Sequence, residues 1–158
     1  MALSKNINSY ATVAEADTYF KDRLDVEAWI SAEPTQKAQA LVTATSLIDT
    51  LNWTGVAVSE TQPLAFPRSG VFFDPRLGMD IEFNDSVPSR IIQATFELAY
   101  HLLNNDGLLD DTGSVKDLTV GSINLTRVLS PNKIPFSVKR LIKPLQVNQG
   151  ANLWWRSN

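Results

Sequence analysis

The chain has 158 residues and a formal net charge of −3, and its apolar fraction of 44% and charged fraction of 20% are ordinary for one globular domain. It contains no cysteine, which excludes disulfides and thiolate metal sites. The first residues lack the apolar core of a signal peptide, and no apolar run is long enough to span a bilayer, so we expect a cytosolic protein that contacts no membrane.

Charge is distributed unevenly along the chain. Residues 1–114 carry seven basic and sixteen acidic side chains, a net charge of −9, whereas residues 115–158 carry seven basic and one acidic, a net charge of +6. This polarity favours head-to-tail association of copies or docking onto an acidic partner. Two unequal but solvated faces would produce the same pattern, so both interpretations stay open.

Two helices are predicted near the start of the chain. Thr12 and Glu15 form a capping-box pattern ahead of an apolar stripe, which predicts a helix over residues 13–23. Pro34 stands where a first helical residue is tolerated, and apolar residues follow at three- and four-residue steps, which predicts a second helix over residues 34–51. The intervening "VEAWIS" is interpreted as a turn.

An extended segment, "WTGVAVSETQPLAFPRSGVFF", follows the second helix. Phe66 precedes Pro67 and is therefore disfavoured in the helical region, so "LAFPR" should run extended towards a turn at Gly70. We call residues 53–70 the strap. Its predicted structural residues are Trp53, Leu64, Phe66, Pro67 and Gly70. The alternative interpretation is a packed crossing loop that binds no partner.

The remaining elements are a third helix, a hairpin and a fourth helix. The third helix should begin near Pro88 and end at "NNDG", and its wide apolar face predicts a central position. Residues 115–128 alternate apolar and polar side chains around a Gly-Ser pair, which predicts a β-hairpin. Pro135 should start a short fourth helix that Pro144 limits, and its apolar face should consist of Phe136, Val138, Leu141 and Ile142.

The predicted fold is mainly α: a small bundle of three to four helices with one short β-hairpin. Residues 1–143 should form this domain, and residues 144–158 an extended C-terminal docking tail. The tail carries paired tryptophans, which seldom remain unburied on a free terminus.

No enzymatic motif is present. The chain lacks a phosphate-binding glycine loop, an HExxH zinc motif and a GxSxG nucleophile elbow. His101 is the only histidine and is interpreted as an ordinary residue of the third helix. We therefore expect neither enzymatic activity nor a metal or cofactor.

Several segments resemble one protein family in order along the chain. "NSYATVAEADTYF", "EAW", "QPLAFPRSGV" and "VPSRIIQATFELAYHLL" are similar to segments of the head-tail connector, or adaptor, proteins of tailed bacteriophages. Some members of that family carry the label DnaT-like single-stranded DNA-binding protein. The resemblance covers roughly residues 8–125, with "QPLAFPRSG" as its most specific part, and it is thin beyond about residue 130.

The resemblance implies a structural role in the virion. Such adaptors form a ring, usually of twelve copies, beneath the portal protein, extend the DNA channel and join the head to the tail. The implied partners are the portal, further copies of the chain, and tail, nozzle or tail-terminator proteins. Genomic double-stranded DNA would pass through the lumen without sequence-specific binding. The implied location is the head-tail junction of the virion, after synthesis in the host cytoplasm.

The resemblance also implies that the C-terminal segment grips the portal or a neighbouring subunit. Tryptophan and arginine are the residues most enriched at interface hot spots, so a basic, aromatic tail suits this task. We expect Arg68 to contact a carboxylate inside the subunit or across an interface. The hypothesised interface residues are Arg68, Lys139, Arg140, Lys143, Leu153, Trp154, Trp155 and Arg156.

The alternative function is single-stranded DNA binding. It requires cations interleaved with exposed aromatic side chains. The chain offers them in its last quarter, at Lys133, Lys139, Arg140, Lys143, Trp154, Trp155 and Arg156. The sequence alone favours the connector over this alternative.

Overall fold

Five α-helices form the main framework of the residues that this computed structural model describes. These residues are 2–104, the backbone of 117–120 and 123–126, and 134–147. The helices are α1 (Val13–Lys21), α2 (Glu27–Ile30), α3 (Pro34–Asp49), α4 (Ser89–Asn104) and α5 (Phe136–Ile142), and a 3₁₀ helix (Lys143–Leu145) follows α5 directly.

The N-terminal helices form where the capping patterns place them. The Thr12 hydroxyl accepts a bond from the Glu15 N–H at 3.2 Å, and the Glu15 carboxylate accepts one from the Thr12 N–H at 2.8 Å. The predicted turn "VEAWIS" instead contains helix α2. Trp29 explains the difference, since its buried ring anchors this short helix and its indole donates to Asp17 at 2.8 Å.

Helix α4 occupies the centre of the domain, as its wide apolar face predicts. It packs against α2, α3 and α5, and Ile91, Ala94, Leu98 and Ala99 are fully buried on it. This burial removes apolar surface from water on several sides of one helix, which is the main stabilising contribution expected for a domain of this size.

The prediction of a mainly α bundle with a single hairpin is wrong. Two small antiparallel sheets formed by four strands occupy the chain between α3 and α4, in addition to the pair of strands in the predicted hairpin region. The strands are β1 (Val56–Ala57), β2 (Arg68–Ser69), β3 (Val71–Asp74), β4 (Met79–Glu82), β5 (Asp117–Val120) and β6 (Ile123–Thr126). Strand β1 pairs with β2, β3 with β4, and β5 with β6. The fold is therefore mixed α and β.

Short strands explain why the sequence pattern missed the first two sheets. Strands of two to four residues are too short to show a clear alternation of apolar and polar side chains. The available signal was the turn "DPRLG" between β3 and β4, where Gly78 has a φ of 67° and donates its N–H to the Asp74 carbonyl at 2.9 Å.

The strap crosses the helices with its aromatic residues in the core. Phe66 is 2% exposed, and its ring lies edge-on to the rings of Tyr10, Trp53 and Phe83 at centroid distances of 6.2, 5.1 and 6.0 Å. Leu64 is also buried. The segment around Phe66 therefore contributes to the hydrophobic core.

Two glycines let the ends of the strap approach each other. Gly55 and Gly70 have φ values of 78° and 121°, in the region that favours glycine. A Cβ atom at Gly55 would lie 2.2 Å from the Ser69 carbonyl oxygen, a distance that real Cβ atoms do not adopt. The pairing of β1 with β2 thus depends on glycine at position 55, because any side chain there would collide with Ser69.

The residues after α5 pack against the start of the strap. The sequence predicts a docking tail from Pro144 onwards, but Leu145 is fully buried. The Leu145 carbonyl accepts the Thr54 N–H at 2.9 Å, and the Val147 N–H donates to the Asn52 carbonyl at 3.2 Å. Residues as far as 147 therefore belong to the packed domain. The predicted tail residues Leu153, Trp154, Trp155 and Arg156 lie outside the described residues.

Replacing Phe66 with alanine should reduce the free energy of unfolding by about 3 to 5 kcal/mol, because it leaves a cavity among three aromatic rings. Urea unfolding followed by circular dichroism measures the loss. Phe73→Ala is the matched control, since Phe73 is 54% exposed and should change stability little. Equal stability of the Phe66→Ala variant and the unmodified protein would contradict the role of Phe66 in the core.

Candidate nucleic-acid interface

One face of α5 and the following 3₁₀ helix combines an aromatic ring with positive charge. Phe136, Arg140 and Lys143 are spaced four and three residues apart, which places them along one side of the helical segment. All three are exposed, and Phe136 is 75% exposed. The Arg140 guanidinium carbon lies 5.9 Å from the centre of the Phe136 ring, within the range of a cation–π contact. We call this surface the α5 face.

The opposite side of α5 fixes this face in position. Val138 and Ile142 are fully buried, and the helix packs against α4. Pro135 supplies the carbonyl that accepts the Lys139 N–H at 3.0 Å in the first turn. Leu145, just beyond the helix, is also fully buried. The α5 face therefore lies on an element that is packed against the core on its other side.

Cations on the rest of the described domain are largely neutralised by carboxylates. The salt bridges join Lys5 to Glu15, Arg23 to Glu97, Lys37 to Asp17, and both Arg76 and Arg90 to Asp74. In the part of the chain that the structure describes, no carboxylate forms a salt bridge with Arg140 or Lys143. The α5 face is therefore a place where positive charge remains available to a partner.

Arg68 lies away from this face and serves the strap. Its guanidinium donates to main-chain carbonyls of Thr54 at 2.9 Å, Gly55 at 2.5 Å and Ala65 at 3.2 Å, with a longer contact to Trp53. The expectation that Arg68 binds a carboxylate inside the subunit is wrong for the described residues. The fork of N–H donors instead joins the two ends of the strap, a task for which arginine geometry is well suited.

The other predicted interface residues divide into two groups. Lys139, Arg140 and Lys143 come together on α5 and the 3₁₀ helix, although Lys139 is half-buried at the edge of the face. The second group lies outside the described residues and consists of Leu153, Trp154, Trp155 and Arg156. Lys133, named for the alternative function, also lies outside them. Sequence reasoning missed Phe136 as a surface residue because its apolar character in a helical pattern favours the core.

A family model described as "Putative DnaT-like ssDNA binding protein" matches residues 2–152. The chain belongs to this family. No curated protein and no solved structure matches the chain. The comparisons do not support membership of the phage connector family, and they agree only with the DnaT-like label that some of its members carry.

A buried carboxylate in this DnaT-like chain fastens strand β3 to helix α4. Asp74 is 1% exposed and forms ion pairs with Arg76 at 2.8 Å and Arg90 at 3.4 Å. Hydrogen bonds from Arg76 hold the pKa of Asp74 at about 2, below its ordinary value of 3.8. A cavity of about 480 Å³ lies beside this cluster, between the β3–β4 hairpin and the start of α4.

A half-buried carboxylate, Asp49, fastens the strap to α3. The Tyr10 hydroxyl donates to the Asp49 carboxylate, which also accepts the Ala65 N–H at 2.8 Å. Burial, together with the bond to Asp49, raises the pKa of Tyr10, so the phenol stays protonated. These contacts explain how the strap is attached to the N-terminal segment and to α3.

The residues that the structure describes hold neither a metal-binding cluster nor a membrane-spanning helix. They contain no group of three or more histidine, cysteine, aspartate or glutamate residues arranged to hold a metal ion. None of their helices has the length and apolar character needed to cross a membrane. His101, half-buried on α4, is not part of any such group.

Replacing Asp74 with asparagine should lower the melting temperature near neutral pH, because Arg76 and Arg90 lose their charged partner. The folded-state pKa of Asp74 is depressed, so its stabilisation is present above about pH 4 and is lost as the pH falls towards about 2. The melting temperatures of the variant and the unmodified protein should therefore converge on acidification. Thermal melts across this range test the expectation, with Asp80→Asn on β4 as an exposed control. A difference that does not change with pH would contradict the assignment.

Proposed function

We propose that the chain binds single-stranded DNA through the α5 face. Phe136 stacks against an unpaired base, and Arg140 and Lys143 contact the flanking phosphates, with Lys139 at the edge. The observation that carries the proposal is a 75% exposed aromatic ring beside Arg140 and Lys143, which form no salt bridge with a carboxylate of the described residues. Stacking on an aromatic ring within a positively charged surface is the usual physical basis of such binding.

The charge of the rest of the protein favours this location. Residues 1–114 carry a net charge of −9, which repels a phosphate backbone from most of the surface. The basic residues of the last quarter attract it, and the α5 face is the described part of that region that presents an aromatic ring. DNA is therefore directed to one side of the domain.

A single strand suits this face better than a duplex. The bases of a duplex are stacked on one another, so their faces are not available to Phe136. A short helix with one exposed ring also lacks the array of base-edge contacts that sequence-specific duplex recognition requires. We therefore expect binding without strong sequence preference. The description of the matched family supports the same class of ligand.

Replacing Phe136 with alanine should weaken binding to an oligo-dT strand by roughly 5- to 150-fold, the equivalent of about 1 to 3 kcal/mol for the loss of one stacked base. Fluorescence anisotropy at fixed salt measures the affinity. Phe136→Tyr should retain most of it, because the ring is kept. Leu24→Ala removes a 96% exposed apolar side chain that lies outside the α5 face and should leave DNA affinity unchanged.

The salt dependence separates stacking from charge in the same experiment. Arg140→Ala and Lys143→Ala should each reduce the slope of log affinity against log salt by about 0.7, the value for one phosphate contact to a single strand. Phe136→Ala should leave that slope unchanged. If Phe136→Ala and Leu24→Ala bind DNA equally well, the α5 face is not the DNA site.

A second candidate is the head-to-tail connector of a tailed phage, as a ring around the DNA channel. The acidic body favours it, since a ring of copies with a net charge of −9 over residues 1–114 would present a surface along which duplex DNA slides without sticking. In this role the partners would be the portal and tail proteins.

Electron microscopy of the virion neck tests this candidate. A ring of this chain beneath the portal is the expected result. A neck that lacks the chain, in particles whose infected cells produce it, would reject the connector and leave the DNA-binding proposal unaffected.

A further inference from the structure

The β3–β4 hairpin exposes an apolar surface that carries negative charge. Along β3, Phe72 and Asp74 turn towards the domain, while Val71 and Phe73 face outwards and are 48% and 54% exposed. The strand register places Phe73 opposite Asp80 and Val71 opposite Glu82, and both acidic residues are exposed. We call these four outward-facing residues the hairpin face.

One further apolar side chain is exposed at the turn of the hairpin. Leu77, between β3 and β4, is 62% exposed. Clusters of exposed large apolar side chains are uncommon on monomers and mark sites of protein contact. The acidic rim restricts the partner to a surface that is both apolar and basic.

The α5 face has this composition. It presents one large apolar ring, Phe136, together with Arg140 and Lys143, whereas the hairpin face presents Phe73 and Val71 with two carboxylates. Aromatic and arginine residues at the centre of a contact, ringed by opposite charges, are the usual pattern of a specific interface.

The two faces of one chain cannot meet each other. The inward side of β3 lies against the 3₁₀ helix that continues α5, and Phe72 and Leu145 line one cavity. The hairpin face is on the other side of that strand and points away from α5. Val138 and Ile142 likewise turn the α5 face away from the core. The hairpin face can therefore contact the α5 face of a second copy, but not the α5 face of its own chain.

We propose that the hairpin face of one copy binds the α5 face of another copy. The contact joins two different surfaces, so it is heterologous and repeats from copy to copy, giving a closed ring or an open filament according to the rotation between neighbours. This self-association goes beyond DNA binding and does not depend on it.

Engineered cysteines give a direct test, because the chain has none of its own. A mixture of Phe73→Cys and Phe136→Cys proteins should form a disulfide-linked heterodimer under mild oxidation. The control mixture pairs Phe136→Cys with Leu24→Cys, since Leu24 is 96% exposed and belongs to neither face. The expected yield is several-fold higher than in the control. Equal yields in the two mixtures would overturn the proposal.

A charge exchange tests the same contact without a covalent bond. Asp80→Lys places a cation opposite Arg140 of the next copy, and Arg140→Glu places a carboxylate opposite Asp80. Each variant alone should self-associate about tenfold more weakly than the unmodified chain in sedimentation velocity. In an equimolar mixture, the hairpin face of the Asp80→Lys variant meets the α5 face of the Arg140→Glu variant, so the charges are opposite again. The other two faces carry the native Asp80 and Arg140, so association should recover. Failure of the mixture to recover, with both variants folded by circular dichroism, would also reject the proposal. No DNA is present, so this result is separate from any test of the DNA site.

Discussion

The burial of Phe66 is the interaction on which the other surfaces depend. Its ring packs against Tyr10, Trp53 and Phe83, and therefore ties the N-terminal segment, the start of the strap and the end of β4 to one point. Asp49 and Arg68 fasten the chain on either side through main-chain groups. The polar contacts act together with the apolar burial, since each buried donor or acceptor needs a partner.

This fixed strap positions both surfaces that could carry function. At one end, residues 52–54 hydrogen-bond to residues 145–147 and so hold the segment that follows α5. At the other end, the chain passes through Gly70 directly into β3. The α5 face and the hairpin face are therefore held by one structural unit. Both proposals use the α5 face, so DNA and a second copy would exclude each other there.

The motif that carries the most specific part of the family resemblance consists of residues that stabilise the fold. Within "QPLAFPRSG", Leu64 and Phe66 are core residues, Arg68 closes the strap on main-chain carbonyls, and Gly70 allows a close approach of two strands. Each of these residues has a role in contacts within the fold. A motif of this kind identifies relatives but does not choose between a connector and a DNA-binding protein, because both roles could be served by the same framework.

The sequence alone determined the local elements whose signals lie within a few residues of one another. The capping box at Thr12, the wide apolar face of α4 and the proline-started α5 each specify a helix through short-range contacts. Only the tertiary structure decided the rest. The pairing of two-residue strands, the turning of Arg68 inwards, the burial of Leu145 and the exposure of Phe136 depend on contacts between segments far apart in the chain, which no local periodicity encodes.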